Sequence, residues 1–291
     1  MEHSSDKIIA PGLYLVATPI GNLEDITLRA LRVLRQADKI ACEDTRQTQK
    51  LLNHYDIKTP TISYHLFNEA GRSEELAKEL VAGARIAVVS DAGTPGIADP
   101  GSQIAAAAIR AGVPVFPIPG ANAAISGLIA SGLAAESFTF HGFLPSKQGQ
   151  RRTVLEALTR GATTHIFYET PHRILEALAD IAAVFSSEQH VVVARELTKL
   201  HEEFLRGTTS SVRATLAARA QVRGEIVLML TLPERPDEGV ASVTILQAVR
   251  SLMKSDAVSE MDALKRVARE RGIGKSDAYR ELQRDQARTK R

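Results

Sequence analysis

The sequence predicts an α/β protein: two consecutive α/β domains, then a small C-terminal all-helical domain. Short β-branched apolar runs alternate with amphipathic segments over the first 140 residues and again after residue 151, the pattern of a sheet with crossover helices. The last 50 residues hold helical periodicity and no strand candidate. At 291 residues, 44% of them hydrophobic, the chain is long enough for two or three cores.

The first domain offers strands at 13–17, 39–42, 61–63, 86–90 and 115–118. Between them, Leu28, Leu31 and Leu34 recur at helical spacing, as do Leu76 and Leu80 behind the start signal Ser73-Glu74-Glu75. Residues 142–151 break the periodicity with Pro145 and two glycines, and read as an interdomain linker. The predicted second sheet uses strands 164–168, 190–195, 203–206 and 225–231, with helices near 152–160, 173–185 and 211–220. Two of these strands follow each other with no room for a helix, so this sheet is mixed. A polar Pro/Gly/acidic stretch from Pro233 to Gly239 separates the helical end. The expected boundaries are therefore 1–142, a linker at 143–151, 152–233 and 240–291.

Composition narrows the function classes. One cysteine, Cys42, forms no intramolecular disulfide and supplies too few thiolates for a zinc finger or iron–sulfur cluster, which points to a reducing compartment. The polar start, Met1 to Lys7, lacks the apolar core of a secretory signal, so a cytoplasmic location is expected. The uncharged stretch 111–135 contains three prolines, four glycines and Asn122, and reads as strand, turn and small-residue helix rather than a membrane span. His65, His141, His172 and His201 lack zinc-site spacing, and no metal is expected. Residues 241–291 carry 12 Lys/Arg against 7 Asp/Glu, whereas the preceding 240 carry 24 against 27, so a partner bound through charge meets the C-terminal end.

In open α/β sheets, ligands gather where loops leave the carboxyl ends of the strands. The first such loop, Thr18-Pro19-Ile20-Gly21-Asn22, is neither a GxGxxG dinucleotide fingerprint nor a GxxxxGK[ST] phosphate loop. The fourth, from Ser90 to Gly101, holds three glycines, two prolines and two carboxylates, Gly93-Thr94-Pro95 among them. The fifth ends in Pro117-Ile118-Pro119-Gly120-Ala121-Asn122-Ala123. Three such loops on one sheet predict a ligand cleft. Charges also cluster directly after strands in Glu43-Asp44-Thr45-Arg46, Tyr168-Glu169-Thr170-Pro171-His172-Arg173 and Arg195-Glu196-Leu197-Thr198-Lys199. Cys42 lacks a partnered base and reads as packing.

These segments, with Leu15-Val16-Ala17 before the first loop and His141-Gly142-Phe143-Leu144-Pro145 at the linker, together resemble the tetrapyrrole-methylase-like S-adenosylmethionine-dependent methyltransferases. Within that family they are similar to the branch that methylates the ribose 2′-oxygen of a cytidine in the decoding region of 16S ribosomal RNA. The resemblance covers residues 12–232. It implies S-adenosylmethionine as cofactor in a cleft between the two α/β domains, a homodimer, and small-subunit rRNA or the assembled 30S subunit as partner. By matching, Pro19, Gly93, Thr94, Pro95, Ile97, Asn122, Ala123, Glu169 and Leu230 fall at cofactor-contact positions. The family's Gly-Asp-Pro element is Gly93-Thr94-Pro95 here, and the first loop is poorer in glycine than in porphyrinoid-modifying members.

The implied chemistry needs alignment of a ribose oxygen behind an electrophilic methyl, plus a base or a cation for the developing alkoxide. Glu43, Asp44 and Glu196 are candidate bases, and Arg46, Lys147, Arg173 and Lys199 are candidates for phosphates or the alkoxide. Asp44 and Arg46 are preferred because they leave a strand end of the cofactor domain. In the tail, an amphipathic helix from Met261 to Gly272 and a second from Asp277 give a helix-turn-helix outline. Its Lys265, Arg266, Arg269, Lys275 and Arg280 suit RNA phosphates. Two other readings are a small-molecule tetrapyrrole methylase, which has no need of a basic appendage, and a nucleic-acid-binding regulator that senses S-adenosylmethionine.

Overall fold

A computed structural model describes residues 8–65, 68–232, 245–256, 258–270 and 274–289, the side chains at 255–256, 269–270, 275–277 and 286–289 excepted. The chain falls into two units, residues 1–232 and 233–291. Five strands, β1 (Gly12–Val16), β2 (Lys39–Cys42), β3 (Thr61–Ser63), β4 (Arg85–Val89) and β5 (Val115–Ile118), form a wholly parallel sheet in the order β3-β2-β4-β1-β5. Parallel strands need both faces covered, and β1, β2 and β4 are accordingly apolar after their first residue. Helices α1 (Leu28–Gln36) and α2 (Thr45–His54) bury Val33, Leu34 and Leu52 on one face. On the other, α3 (Glu69–Val81) and α4 (Ser102–Arg110) bury Leu76, Leu80 and Ile104. Thr27 caps α1 and Asp44 caps α2, each side chain accepting a first-turn N–H.

The chain then passes through α5 (Ala123–Ser131) into a second sheet of order β6-β7-β10-β8-β9. Its strands are β6 (Phe138–Phe143), β7 (Thr164–Glu169), β8 (His190–Arg195), β9 (Glu203–Thr208) and β10 (Ile226–Thr231). Only β6 and β7 are parallel, so the sheet is mixed as expected. Helices α6 (Gln148–Glu156), α7 (Ile174–Val184) and α8 (Thr209–Ala217) cover one face, and α5 covers the other.

This corrects the expected boundary. The crossing to the second sheet lies between Ile118 and Phe138, β6 was not anticipated, and the expected linker at 143–151 contains the end of β6 and the start of α6. β6 is an edge strand with no fully buried residue, and its Phe138-Thr139-Phe140-His141 alternation is too short, cut off by Gly142, to mark a strand by itself. Beneath α6, Arg151 is fully buried against Asp180 of α7 at 2.7 Å, and Arg152 meets the other Asp180 oxygen at 2.7 Å. Burial alone would raise the Asp180 carboxyl, but the two guanidiniums hold it below the usual carboxylate range.

The second unit contains α9 (Ile245–Asp256), α10 (Glu260–Glu270) and α11 (Lys275–Thr289). They share a core of Ile245, Val249, Leu264, Val267, Ala278 and Leu282, so the tail is a three-helix unit rather than an isolated helix pair. The expected linker from Pro233 to Gly239, the polar start from Met1 to Lys7 and the helix-ending Gly272 lie outside the described residues. No described helix is long and apolar enough to cross a membrane.

Candidate active site

Loops leaving the carboxyl ends of β1, β2, β4 and β5 meet those following β7 and β8 across a cleft of about 610 Å³, within the size range of small-ligand sites. Ile20, Ala92 and Val227 give it apolar lining, and behind them the two halves pack together through Ile166 and Val192. Its walls are acidic. Glu43, Asp91, Asp99, Glu169, Glu196 and Glu225 line it, and Lys199 is the only cation among the described lining residues.

The loops are held in shape by their own polar groups. Thr18 and Gly93 exchange backbone hydrogen bonds of 2.8 and 3.1 Å, Thr94 Oγ1 donates to the Ala121 carbonyl, and Asn122 caps α5. Gly93 sits at φ +86°, where a side chain is strained and an added Cβ would press on Ile20 at 3.3 Å. Three of the four described non-glycine residues with left-handed backbone, Ala98, Glu196 and Thr198, lie in loops at this cleft. Such strain persists only where the surroundings over-determine it, and it clusters at functional sites.

Burial, then the charges of Glu43 and Asp91, pushes the Asp99 carboxyl up to about 6. The Glu43 carboxyl is also raised, first by burial and then by Asp91. The Glu169 side chain is 0% exposed. Its Oε2 accepts the Thr170 N–H at 2.7 Å and pairs with Arg173 at 3.2 Å, while its Oε1 has no partner. Burial raises this carboxyl too. A buried acceptor without a donor costs roughly 1–3 kcal/mol and marks a position where a ligand donor fits.

A second cleft, of about 590 Å³, adjoins the first and shares Ile20, Asp91, Ala92, Lys199 and Glu225 with it. At the junction Lys199 Nζ donates to Glu196 Oε1 at 2.9 Å and Glu225 Oε2 at 3.0 Å. Burial would lower the ammonium, but these carboxylates outweigh it and hold Lys199 above the usual lysine range. The same contact lowers Glu196, which is therefore a poor proton acceptor. The Lys199 stem lies over Gly21, where any Cβ would collide with it.

Of the residues expected from sequence, Gly93, Thr94, Ile97, Asn122, Ala123, Glu169, Glu43, Glu196 and Lys199 line the larger cleft. Pro19 lines the second cleft only. Pro95 lines neither cleft, and Leu230 is fully buried in the helix-covered core of the second sheet. Side chains alternate along a strand: Ile226, Leu228 and Leu230 share the core facing α6–α8, while Val227 and Met229 face α5. Asp44 and Arg46 line neither cleft. They form a bidentate pair at 3.1 and 2.8 Å, with Arg46 87% exposed, and Arg46 holds the Asp44 carboxyl down to about 2.

Arg173 is engaged by Glu169, and the exposed Lys147 lines neither cleft. Lys265 lies on α10 paired with Asp262 at 2.9 Å, beside the exposed Arg266, and Arg280 is exposed on α11. The side chains of Arg269 and Lys275 lie outside the described ones. Sequence reasoning missed Asp91, Asp99 and Glu225 as site residues, although the twelve-residue loop 90–101 carried the signal for the first two. Among the described residues no group of three or more His, Cys, Asp or Glu is placed to hold a metal ion.

Residues 12–213 match the model of the Tetrapyrrole (Corrin/Porphyrin) Methylases. The chain is 48% identical over 271 residues to a ribosomal RNA small subunit methyltransferase I of Halalkalibacterium halodurans, covering 92% of this chain and 93% of that protein. It is 45% identical to the Synechocystis protein of the same name, covering 92% and 95%. Among solved structures, the uroporphyrin-III C-methyltransferase of Thermus thermophilus complexed with S-adenyl homocysteine superposes with a TM-score of 0.52 at 18% identity, over 76% of this chain and 97% of that one. That likeness concerns the fold. Family model and full-length relatives agree: the chain belongs to the tetrapyrrole methylase family, in its branch of small-subunit ribosomal RNA methyltransferases I.

Proposed function

We propose that this chain is an S-adenosylmethionine-dependent methyltransferase that modifies the ribose 2′-oxygen of a cytidine in the decoding region of 16S ribosomal RNA. The observation that carries the reading is the acid-walled cleft, in which six carboxylates face one ammonium. A phosphodiester chain is repelled by such walls, whereas a cationic methyl donor is attracted. The residues fit that donor: Asp99 and Glu169 supply acceptors for its ammonium or hydroxyl donors, Gly93 lets backbone approach it, and Ile20, Ile97 and Val227 give an apolar bed. When bound, S-adenosylmethionine supplies an electrophilic methyl on a sulfonium, so the protein's tasks are alignment, water exclusion and proton removal.

Glu43 is assigned the proton. Of the sequence candidates it lies in the cleft and has a raised carboxyl, whereas Asp44 is tied to Arg46 and Glu196 to Lys199. A positioned base of this kind contributes roughly 10²–10⁴-fold. Lys199 is the cation nearest to hand for oxyanion charge. The assembled 30S particle as substrate, a homodimeric protein and a cytoplasmic location belong to the same proposal.

The test is transfer of radiolabelled methyl to undermethylated 30S subunits, to free rRNA and to a porphyrinoid, followed by nuclease P1 digestion. Label recovered as 2′-O-methylcytidine is expected. Label on the porphyrinoid overturns the RNA assignment, and donor binding without transfer to any acceptor turns the protein into a sensor. Sedimentation at about twice 31.5 kDa is expected for the dimer.

A further inference from the structure

The second cleft differs from the first in charge. Against Asp91 and Glu225 it sets Lys50, Lys199 and His54, so its acids are balanced where the larger cleft has a large acidic excess. Gln47, Lys50, Leu51 and His54 come from one face of α2, at i, i+3, i+4 and i+7, so a single helix presents an amide, an ammonium and an imidazole in a row. Lys50 Nζ donates to Gln47 Oε1 at 2.9 Å, which holds the ammonium along that face. The opposite wall is the first loop, fastened to α2 by the Tyr55 hydroxyl, which donates to the Leu23 carbonyl at 2.6 Å.

From this arrangement we infer that the second cleft is a phosphodiester subsite. Lys50 and His54, with Gln47, hold the sugar–phosphate backbone of the RNA strand beside the nucleotide presented to the larger cleft, and Lys199 marks the junction between the two. The inference rests on the proposed RNA substrate and adds where on the catalytic unit the strand lies. The shared residues place an occupant of one cleft directly beside an occupant of the other. A volume of about 590 Å³ suits a segment of one or two nucleotides rather than a duplex. Phosphate binding by an ammonium releases condensed counterions, so the subsite has a salt signature.

The experiment uses the full-length protein, undermethylated 30S subunits and the free 16S rRNA fragment as probes. Compared are Lys50→Ala, His54→Ala and, as a charge-matched control outside both clefts, Lys58→Ala, which is 82% exposed. Lys50→Ala is expected to weaken RNA binding about tenfold and to reduce the salt slope by roughly the increment of one neutralised phosphate. His54→Ala should move the same way, Lys50→Arg should recover most of the affinity, and donor affinity by calorimetry should be unchanged in all. Equal effects of Lys50→Ala and Lys58→Ala overturn the subsite, as does a fall in donor affinity that matches the fall in RNA affinity. If the unaltered protein methylates no RNA, the proposed function has failed instead.

Discussion

Asp99 is a carboxyl whose charge depends on pH in the neutral range. With the group pushed up to about 6, the wall it contributes is neutral well below that pH and anionic above it. Affinity for a cationic donor should therefore climb from pH 5 to 7 and level off, and Asp99→Asn should flatten that rise; calorimetry across the range checks it. The sign for stability is opposite. An acid whose folded value is raised holds a proton that the unfolded chain sheds, so the ligand-free fold loses stability as pH rises from about 4 to 6. Sequence reading located the loop that carries Asp99 but not the residue, because its raised value comes from burial and from Glu43, 56 positions away. Leu230 shows the converse limit: the face a strand side chain takes follows from register, and that of Leu230 lies in the helix-covered core rather than toward α5.

Among elements, the joint between α6 and α7 is the most exacting. Arg151 and Asp180 are each 1% exposed in the side chain, and the Arg151 guanidinium also donates to the Pro145 and Ser146 carbonyls at 3.3 and 3.2 Å. Asp180→Ala leaves the buried Arg151 guanidinium only the exposed Glu176, at 3.4 Å, as counter-ion and should cost roughly 3–5 kcal/mol in urea unfolding. The double variant Arg151→Met/Asp180→Leu should recover most of that stability, since no charge is then stranded. Strand positions were legible wherever burial produced an apolar run: the five strands of the first sheet lie within one residue of their expected bounds. They failed at β6, whose Phe138 and Phe143 are half exposed and whose ladder shifts register between Phe140 and Phe143. Its Phe-Thr-Phe-His alternation spans only four residues before Gly142, too few to set a strand apart from a loop.

At the level of the whole molecule, charge divides along the chain, with the excess of Lys and Arg in residues 241–291 and the acidic excess before them. Cationic tail and acid-walled cleft suit different ligands, so deletion of residues 240–291 should weaken RNA binding with donor affinity intact. Its salt slope should fall by roughly 0.7–0.9 for each phosphate the tail would have neutralised. Filter binding at several salt concentrations, paired with calorimetry, measures both. The existence of a cleft was legible from three Pro/Gly-rich strand ends; its neighbouring cleft was not, because Gln47, Lys50 and His54 share a face only once α2 forms and the first loop folds against it. Ile20 and Ala92 from the first half pack with Val192 and Val227 from the second in one core. That packing joins the two halves, and Lys199 and Glu225 stand where the larger cleft meets its neighbour. On the proposed function, a polynucleotide seated at that junction would stop the mouth beside the donor, so donor docking before RNA is the expected order, and product-inhibition patterns check it.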